Sequence, residues 1–107
     1  MANINKVTAL NLARKLHPEL TDERDATFLR YTDTRFGLLF RLPEDTKYHE
    51  LILSGDKGLD YLDETWWLDE NGKPHIQGKW ATLSEEEQRE LGFLTGRADN
   101  GEAGTAE

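Results

Sequence analysis

Three histidines, His17, His49 and His75, are the side chains of this 107-residue sequence best suited to acid–base chemistry or metal binding. They are far apart in the sequence, and no HExxH-type spacing brings two of them to one helix face. The 21 acidic residues could supply general acids, but nothing in their pattern marks one as buried with a raised pKa. We therefore expect no catalytic residues, no metal and no cofactor.

Short motifs for ion or phosphate binding are equally weak. An acidic loop beginning at Asp56 has the first ligands of a calcium loop, but Tyr61 and Trp67 occupy the positions where an EF-hand needs Gly and Glu. Residues 55–58 match the GxxG pattern of a KH loop, yet the surrounding carboxylates oppose a phosphate backbone, which favours a simple turn. The sequence has no cysteine, which excludes disulfides and thiolate chemistry.

The net charge of -8 is unevenly distributed. Residues 1–42 carry seven basic and five acidic side chains, whereas residues 43–107 carry six basic and sixteen acidic ones. The density of acids is greatest over residues 56–70. Such a surface repels nucleic acid, so we expect no direct nucleic-acid binding. The acids either keep a small protein soluble or face a basic surface on another protein.

The length and composition predict one domain over residues 1–94, followed by a flexible acidic C-terminal tail over residues 95–107, where large side chains are almost absent. No apolar run approaches the roughly 18 residues of a membrane span. We therefore expect a cytoplasmic protein that does not contact a membrane.

Helices are predicted near both ends of the domain. The first has apolar residues at helical spacing, namely Val7, Ala9, Leu10, Leu12, Ala13 and Leu16. Either Asn3 or Asn5 can cap it. The second begins after Ser84, which forms the spacing of a capping box with Glu87, and we expect it to stop at Gly96.

The region between the helices predicts strands. Residues 27–32 and 36–42 flank a short polar segment, and a two-residue loop there would place Tyr31 opposite Phe36. Residues 48–53 fit either a strand or a short helix beginning at Pro43, and the compact apolar run favours the strand. The predicted fold is α+β, a small antiparallel sheet of about four to five strands with hairpins 27–42 and 65–80, packed with an N-terminal and a C-terminal helix.

Asn71-Gly72 is the strongest local signal, because this dipeptide suits both central positions of a type I′ turn. A two-residue loop there pairs Trp66 with Gln77 and Trp67 with Ile76. One face then carries Trp67, Ile76 and Trp80 and is expected to be the core face. The opposite face carries Glu64, Trp66, Leu68, Glu70, Lys73, His75, Gln77 and Lys79.

That second face predicts a binding surface. Two cross-strand ion pairs favour exposure, and an exposed tryptophan inside a polar rim is typical of an interface hot spot. The alternative is that one of the helices covers Trp66 as a second small core. The candidate protein-binding residues are Trp66, Leu68, His75 and Gln77, with Asp63, Glu64, Asp69 and Glu70 attracting the partner.

The resulting hypothesis is a small acidic, non-enzymatic interaction protein that binds, and in one variant inhibits, a basic surface of another protein. Three alternatives stay open. One is an inhibitor that mimics nucleic acid, such as a phage-encoded counter-defence protein. The second is a homo-oligomeric structural or assembly factor, with a homodimer as its simplest form. The third is a small enzyme with a carboxylate or histidine site.

Overall fold

A computed structural model describes residues 2–43 and 46–94 of the chain. In chain order its elements are α1 (Lys6–Leu16), a single 3₁₀ turn (Glu23–Asp25), β1 (Ala26–Arg30), β2 (Arg35–Phe40), β3 (Tyr48–Ser54), β4 (Asp60–Leu68), β5 (Pro74–Gln77), β6 (Trp80–Thr82) and α2 (Glu85–Leu91). The predicted α+β class is confirmed, and residues 48–53 belong to a strand. The tail predicted for residues 95–107 lies outside the described residues.

Helix α1 is capped by Asn5, one of the two expected residues. The Asn5 side chain accepts a hydrogen bond from the Thr8 amide at 3.1 Å, and the Thr8 hydroxyl accepts one from the Asn5 amide at 3.0 Å. Each side chain thus satisfies one amide at the start of the helix, where no intrahelical acceptor is available.

Helix α2 has the capping box that the sequence predicts. Ser84 accepts a hydrogen bond from the Glu87 amide at 3.1 Å, and Glu87 accepts one from the Ser84 amide at 3.2 Å. The predicted stop at Gly96 is wrong, since the helix ends at Leu91. Gly92 follows with φ of 92°, a left-handed conformation that glycine adopts without steric cost.

The strands form one antiparallel sheet in the order β1-β2-β3-β4-β5, and β6 also pairs with β4. β5 and β6 lie along the same edge of β4 in one register, with Gln77 opposite Thr65 and Trp80 opposite Leu62. The pairing is interrupted at Gly78, where the backbone lies so close to β4 that an added Cβ would be 3.3 Å from the Asp63 carbonyl oxygen.

Both helices belong to one side of the sheet. α1 packs over β1, β2 and β3, and α2 packs on α1. The core lies between α1 and the sheet, where Leu38, Phe40, Leu51 and Leu53 are buried beneath Leu12. We call this the helix side. No helix of the described ranges lies on the opposite side, which we call the open face.

The register predicted for the second hairpin is wrong by one residue. Its loop has three residues, 70–72, because Asp69 donates its amide to the Lys73 carbonyl at 2.9 Å. Gly72 takes φ of 78°, the left-handed position that closes a three-residue hairpin loop. Trp66 therefore lies opposite Ile76, and Trp67 lies opposite His75.

The first hairpin differs from the prediction in the same way. Its loop spans residues 32–34, and Tyr31 donates its amide to the Arg35 carbonyl at 2.8 Å. Phe28 consequently lies opposite Leu38 on the helix side, while Leu29 lies opposite Gly37 on the open face. In both hairpins the loop is one residue longer than predicted, which shifts the pairing by one residue. Relative to its partner, one strand of each hairpin therefore has its side chains on the opposite face from the one predicted.

Candidate functional site

The open face carries most of the large apolar side chains that remain exposed among the described residues. Six such residues exceed two-fifths exposure, and five of them lie on this face: Tyr31 (48%), Tyr48 (43%), Leu68 (63%), Ile76 (70%) and Trp80 (45%). The sixth, Val7, lies on α1. These residues form a concentrated apolar area on one uncovered sheet face, unlike surface hydrophobics that are scattered singly.

A row of side chains crosses three strands at one end of the open face. Tyr48 lies opposite Trp66, which lies opposite Ile76. The rings of Tyr48 and Trp66 stack with centroids 4.4 Å apart and planes inclined by 17°. The guanidinium carbon of Arg41 also lies over the Tyr48 ring, 4.8 Å from its centroid. We call Tyr48, Trp66 and Ile76 the Trp66 row.

A shallow depression adjoins the Trp66 row. Its volume is about 340 Å³, and its walls include Thr27, Leu39, Tyr48 and Trp66. The depression gives the row a concave border, which is the shape into which an apolar anchor of another molecule fits.

A second apolar row runs parallel to the first, four residues away along each strand. It consists of Ile52, Leu62 and Trp80, which occupy opposing positions on β3, β4 and β6. We call these residues the Trp80 row. The guanidinium carbon of Arg35 lies 5.4 Å from the centroid of Trp80. Trp80 was expected in the core, and this prediction is wrong because β6 follows the register of the three-residue loop.

Two carboxylates lie between the apolar rows. Glu50 and Glu64 are directly opposite each other on β3 and β4, an arrangement in which like charges destabilise a sheet. Burial and, to a smaller extent, the charge of Glu50 raise the pKa of Glu64. The Tyr31 hydroxyl donates a hydrogen bond to Glu50. Burial and this hydrogen bond raise the pKa of Tyr31 to about 12.

Gly37 is the residue that lets Tyr31 reach Glu50 across β2. A Cβ at position 37 would lie 2.7 Å from both the Tyr31 ring and the Glu50 carboxylate. The close approach leaves no room for a side chain, so glycine is required here for space.

The structure divides the predicted binding residues between the two sides of the sheet. Trp66, Leu68 and Glu64 lie on the open face, as expected, but His75 and Gln77 lie on the helix side, because the register differs by one residue. Asp63 also faces the helix side, where it accepts a hydrogen bond from His17.

Trp67 points to the helix side, as predicted, but lies beyond the core. Its ring is half-buried and stacks on His75 with centroids 5.4 Å apart. Ile76, the predicted core partner of Trp67, is instead on the open face and exposed. The set of Trp67, Ile76 and Trp80 therefore does not form a core, and Trp66 is not covered by either described helix.

The predicted acidic residues of the hairpin loop have different roles. Asp69 accepts hydrogen bonds from the amides of Asn71 and Lys73, each at 2.9 Å, and from His75 at 2.8 Å. The His75 bond first, and then these amide bonds, lower the pKa of Asp69. Asp69 thus fixes the loop, while Glu70 is an exposed loop residue.

Sequence reasoning missed several members of the open face, namely Tyr31, Tyr48, Glu50, Ile52, Leu62, Ile76 and Trp80. The alternation of Tyr48, Glu50 and Ile52 along β3 already placed these residues on one side. It carried no sign of which side the helices would leave uncovered.

No protein-family model, no curated protein and no solved structure matches this chain. Within residues 2–43 and 46–94, no group of three histidine or acidic side chains is arranged to hold a metal ion. The helices of those same ranges are too short and too polar to cross a membrane. The class that the fold itself defines is an α+β protein with helices on one side of an antiparallel sheet.

Proposed function

We propose that this protein binds a partner protein on its open face. The single observation that supports this function most is that five of the six exposed large apolar residues of the described ranges lie together there. An apolar face of this kind gains free energy when a partner removes it from water, at about 25 cal/mol per Å².

The partner we propose presents a lysine or arginine surrounded by apolar side chains. Glu50 and Glu64 form a pair of like charges between the Trp66 row and the Trp80 row. A cation placed over them would relieve their repulsion, and the flanking rows would exclude water from the resulting ion pair. The arginines on this face are engaged elsewhere, since Arg35 and Arg41 lie over Trp80 and Tyr48.

A different protein suits this face better than a second copy of the same chain. The chain has a net charge of -8, and two copies docked through their open faces would bring two Glu50–Glu64 pairs close together. A basic partner would instead be attracted at long range, which raises its association rate at low salt.

The test is site-specific photo-crosslinking from the open face in the source cells. A benzophenone amino acid is placed at Ile76, and the control carries it at Val7 on α1. The two positions are almost equally exposed, at 70% and 67%. A difference in crosslinking between them therefore reflects the surface on which the probe lies and not its accessibility. We expect an adduct from position 76 that position 7 does not give.

The partner captured in the adduct must also depend on the apolar and acidic residues of the open face. The partner identified in the adduct is purified without the crosslink and titrated against the wild-type chain and each variant. It should bind Trp66→Ala and Glu64→Gln more weakly than Glu70→Gln, which changes an exposed loop carboxylate. Equal adducts from positions 76 and 7, or unchanged affinity in the two open-face variants, would contradict the proposal. An adduct that contains only a second copy of the chain would replace it with homodimerisation.

A further inference from the structure

The helix side contains a groove that the proposed docking does not use. α1 lies mainly over β1, β2 and β3, so inward-facing residues of β4, β5 and β6 extend beyond it. The space beside the end of α1 has a volume of about 710 Å³ and lies between Leu16 and the strand edge at Lys79. We call it the helix-side groove. It opens on the side of the sheet opposite the Glu50–Glu64 pair, and Trp80 at the sheet edge also lines it.

The floor of the helix-side groove is polar. His49 is only 4% exposed, and its Nδ1 atom lies 3.3 Å from the Thr65 hydroxyl. Asp63, the next inward-facing residue of β4, is held by His17 with Nε2 2.9 Å from Oδ2. Sheet positions that face a helix normally carry apolar side chains. These contacts fix the floor in place before any ligand arrives.

The rim of the helix-side groove is rich in hydrogen-bond donors. Lys47 and Lys79 both line it, together with the Gln77 amide. Lys79 forms no ion pair with any residue that the structure describes, and Lys47 lies over Trp67, 4.5 Å from the ring centroid. Asp63, the single carboxylate of the lining, already has His17 as its partner. Lys79 lines this cavity with an ammonium group that no described carboxylate pairs, which favours an anionic ligand even in a chain of charge -8.

The volume of the helix-side groove indicates how large that ligand is. Small-molecule sites span about 300–1,000 Å³, and the groove falls within this range. A lone phosphate or carboxylate would leave most of the groove to water, so a ligand that also has an organic part fits it better. The walls formed by Leu16, Tyr61 and Ala81 are suited to contact that part.

We propose that the helix-side groove binds a small organic anion, with the anionic oxygens at Lys79 and Gln77 and the organic part against Leu16 and Tyr61. Lysine binds a phosphate or a carboxylate as a point charge, so both head groups share the required chemistry. The inference does not depend on the docking proposed for the open face.

The experiment is a titration of the full-length chain, followed by the backbone amide signals in NMR spectra. The probes are phenyl phosphate, benzoate and benzamide, which share one ring and differ in head group. We expect saturable shifts at Thr65, Gln77 and Lys79 with at least one of the two anions and none with neutral benzamide. The stronger anion identifies the head group as phosphate or carboxylate.

Two lysine variants provide the matched comparison. Lys79→Gln should weaken binding about tenfold, the effect of losing one charged hydrogen bond. Lys73→Gln removes the same charge from the hairpin loop and should leave binding within about twofold of wild type. The proposal is overturned by an absence of saturable shifts with both anions, by equal shifts with benzamide, or by equal weakening in the two variants.

Discussion

Trp66 and Trp67 are neighbours in β4, yet their rings lie on opposite sides of the sheet and stack on different residues. Trp66 stacks on Tyr48 with centroids 4.4 Å apart, and Trp67 stacks on His75 at 5.4 Å. Both rings are half-buried, and neither belongs to the core between α1 and the sheet. Trp66 can therefore be altered to probe binding without removing a core residue.

The first prediction concerns the stability of Trp66→Ala. The substitution loses one aromatic stack and the partial burial of the ring, so we expect a loss of about 1–2 kcal/mol. Leu51→Ala, at a fully buried position of the adjacent strand, should lose about 2–5 kcal/mol because it leaves a cavity. Urea denaturation measures both values. Equal losses would show that Trp66 is a core residue and unsuitable as a binding probe.

The second prediction concerns the repulsion between Glu50 and Glu64. Replacing Glu64 by Gln removes one of the two opposed charges, so the variant should be more stable than wild type by about 0.2–1 kcal/mol at neutral pH. Glu70→Gln is the control, because Glu70 is exposed in the hairpin loop and should change stability little. Both variants are compared by chemical denaturation at low salt.

The pH dependence of the Glu64→Gln effect has a definite sign. Folding raises the pKa of Glu64 above 4.5, so the folded chain binds the proton more tightly and ionisation costs stability. The advantage of the Gln variant should be fully present above the raised pKa, should shrink as the pH falls from the raised pKa towards 4.5, and should be lost below 4.5. If the stability gain of Glu64→Gln does not change with pH, it does not arise from the ionisation of Glu64.

The third prediction concerns the hydroxyl of Tyr31. Its pKa is raised from 10.0 to about 12, so the stabilisation it gives is fully present below pH 10 and is lost as the pH rises from 10 to 12. Tyr31→Phe has no hydroxyl to ionise and should lose less stability over that interval. The difference in ultraviolet absorbance between the two proteins follows the Tyr31 phenolate directly. Glu50→Gln should lower the midpoint, because it removes the charge that opposes ionisation.

The sequence is sufficient to predict what depends on local spacing. The caps at Asn5 and Ser84 follow from side chains placed three residues from their partners, and β4 must direct Trp66 and Trp67 apart whatever it pairs with. The α+β class follows from the change of period between the two helices and the strands.

Cross-strand partners could not be derived from the same patterns. Asn71-Gly72 is compatible with a two-residue loop and also with a three-residue loop that has glycine in its last position, and the two differ by one residue in register. What distinguishes the two registers is the set of contacts outside the loop, such as the hydrogen bonds that the Asp69 carboxylate accepts from the Lys73 amide and from His75. The predicted patch therefore contained His75 and Gln77 in place of Ile76.

The last prediction tests the loop that sets this register. Gly72 has φ of 78°, and nothing lies within 4 Å of the position where a Cβ would be. Gly72→Ala therefore adds no clash, and its cost is the backbone strain of a left-handed residue, about 1–2 kcal/mol. Asn71→Ala, the adjacent control, should change stability by about 0.5 kcal/mol or less, as exposed surface substitutions usually do. Equal stability of Gly72→Ala and wild type in urea would show that residue 72 does not need the left-handed conformation, and the three-residue loop would lose its basis.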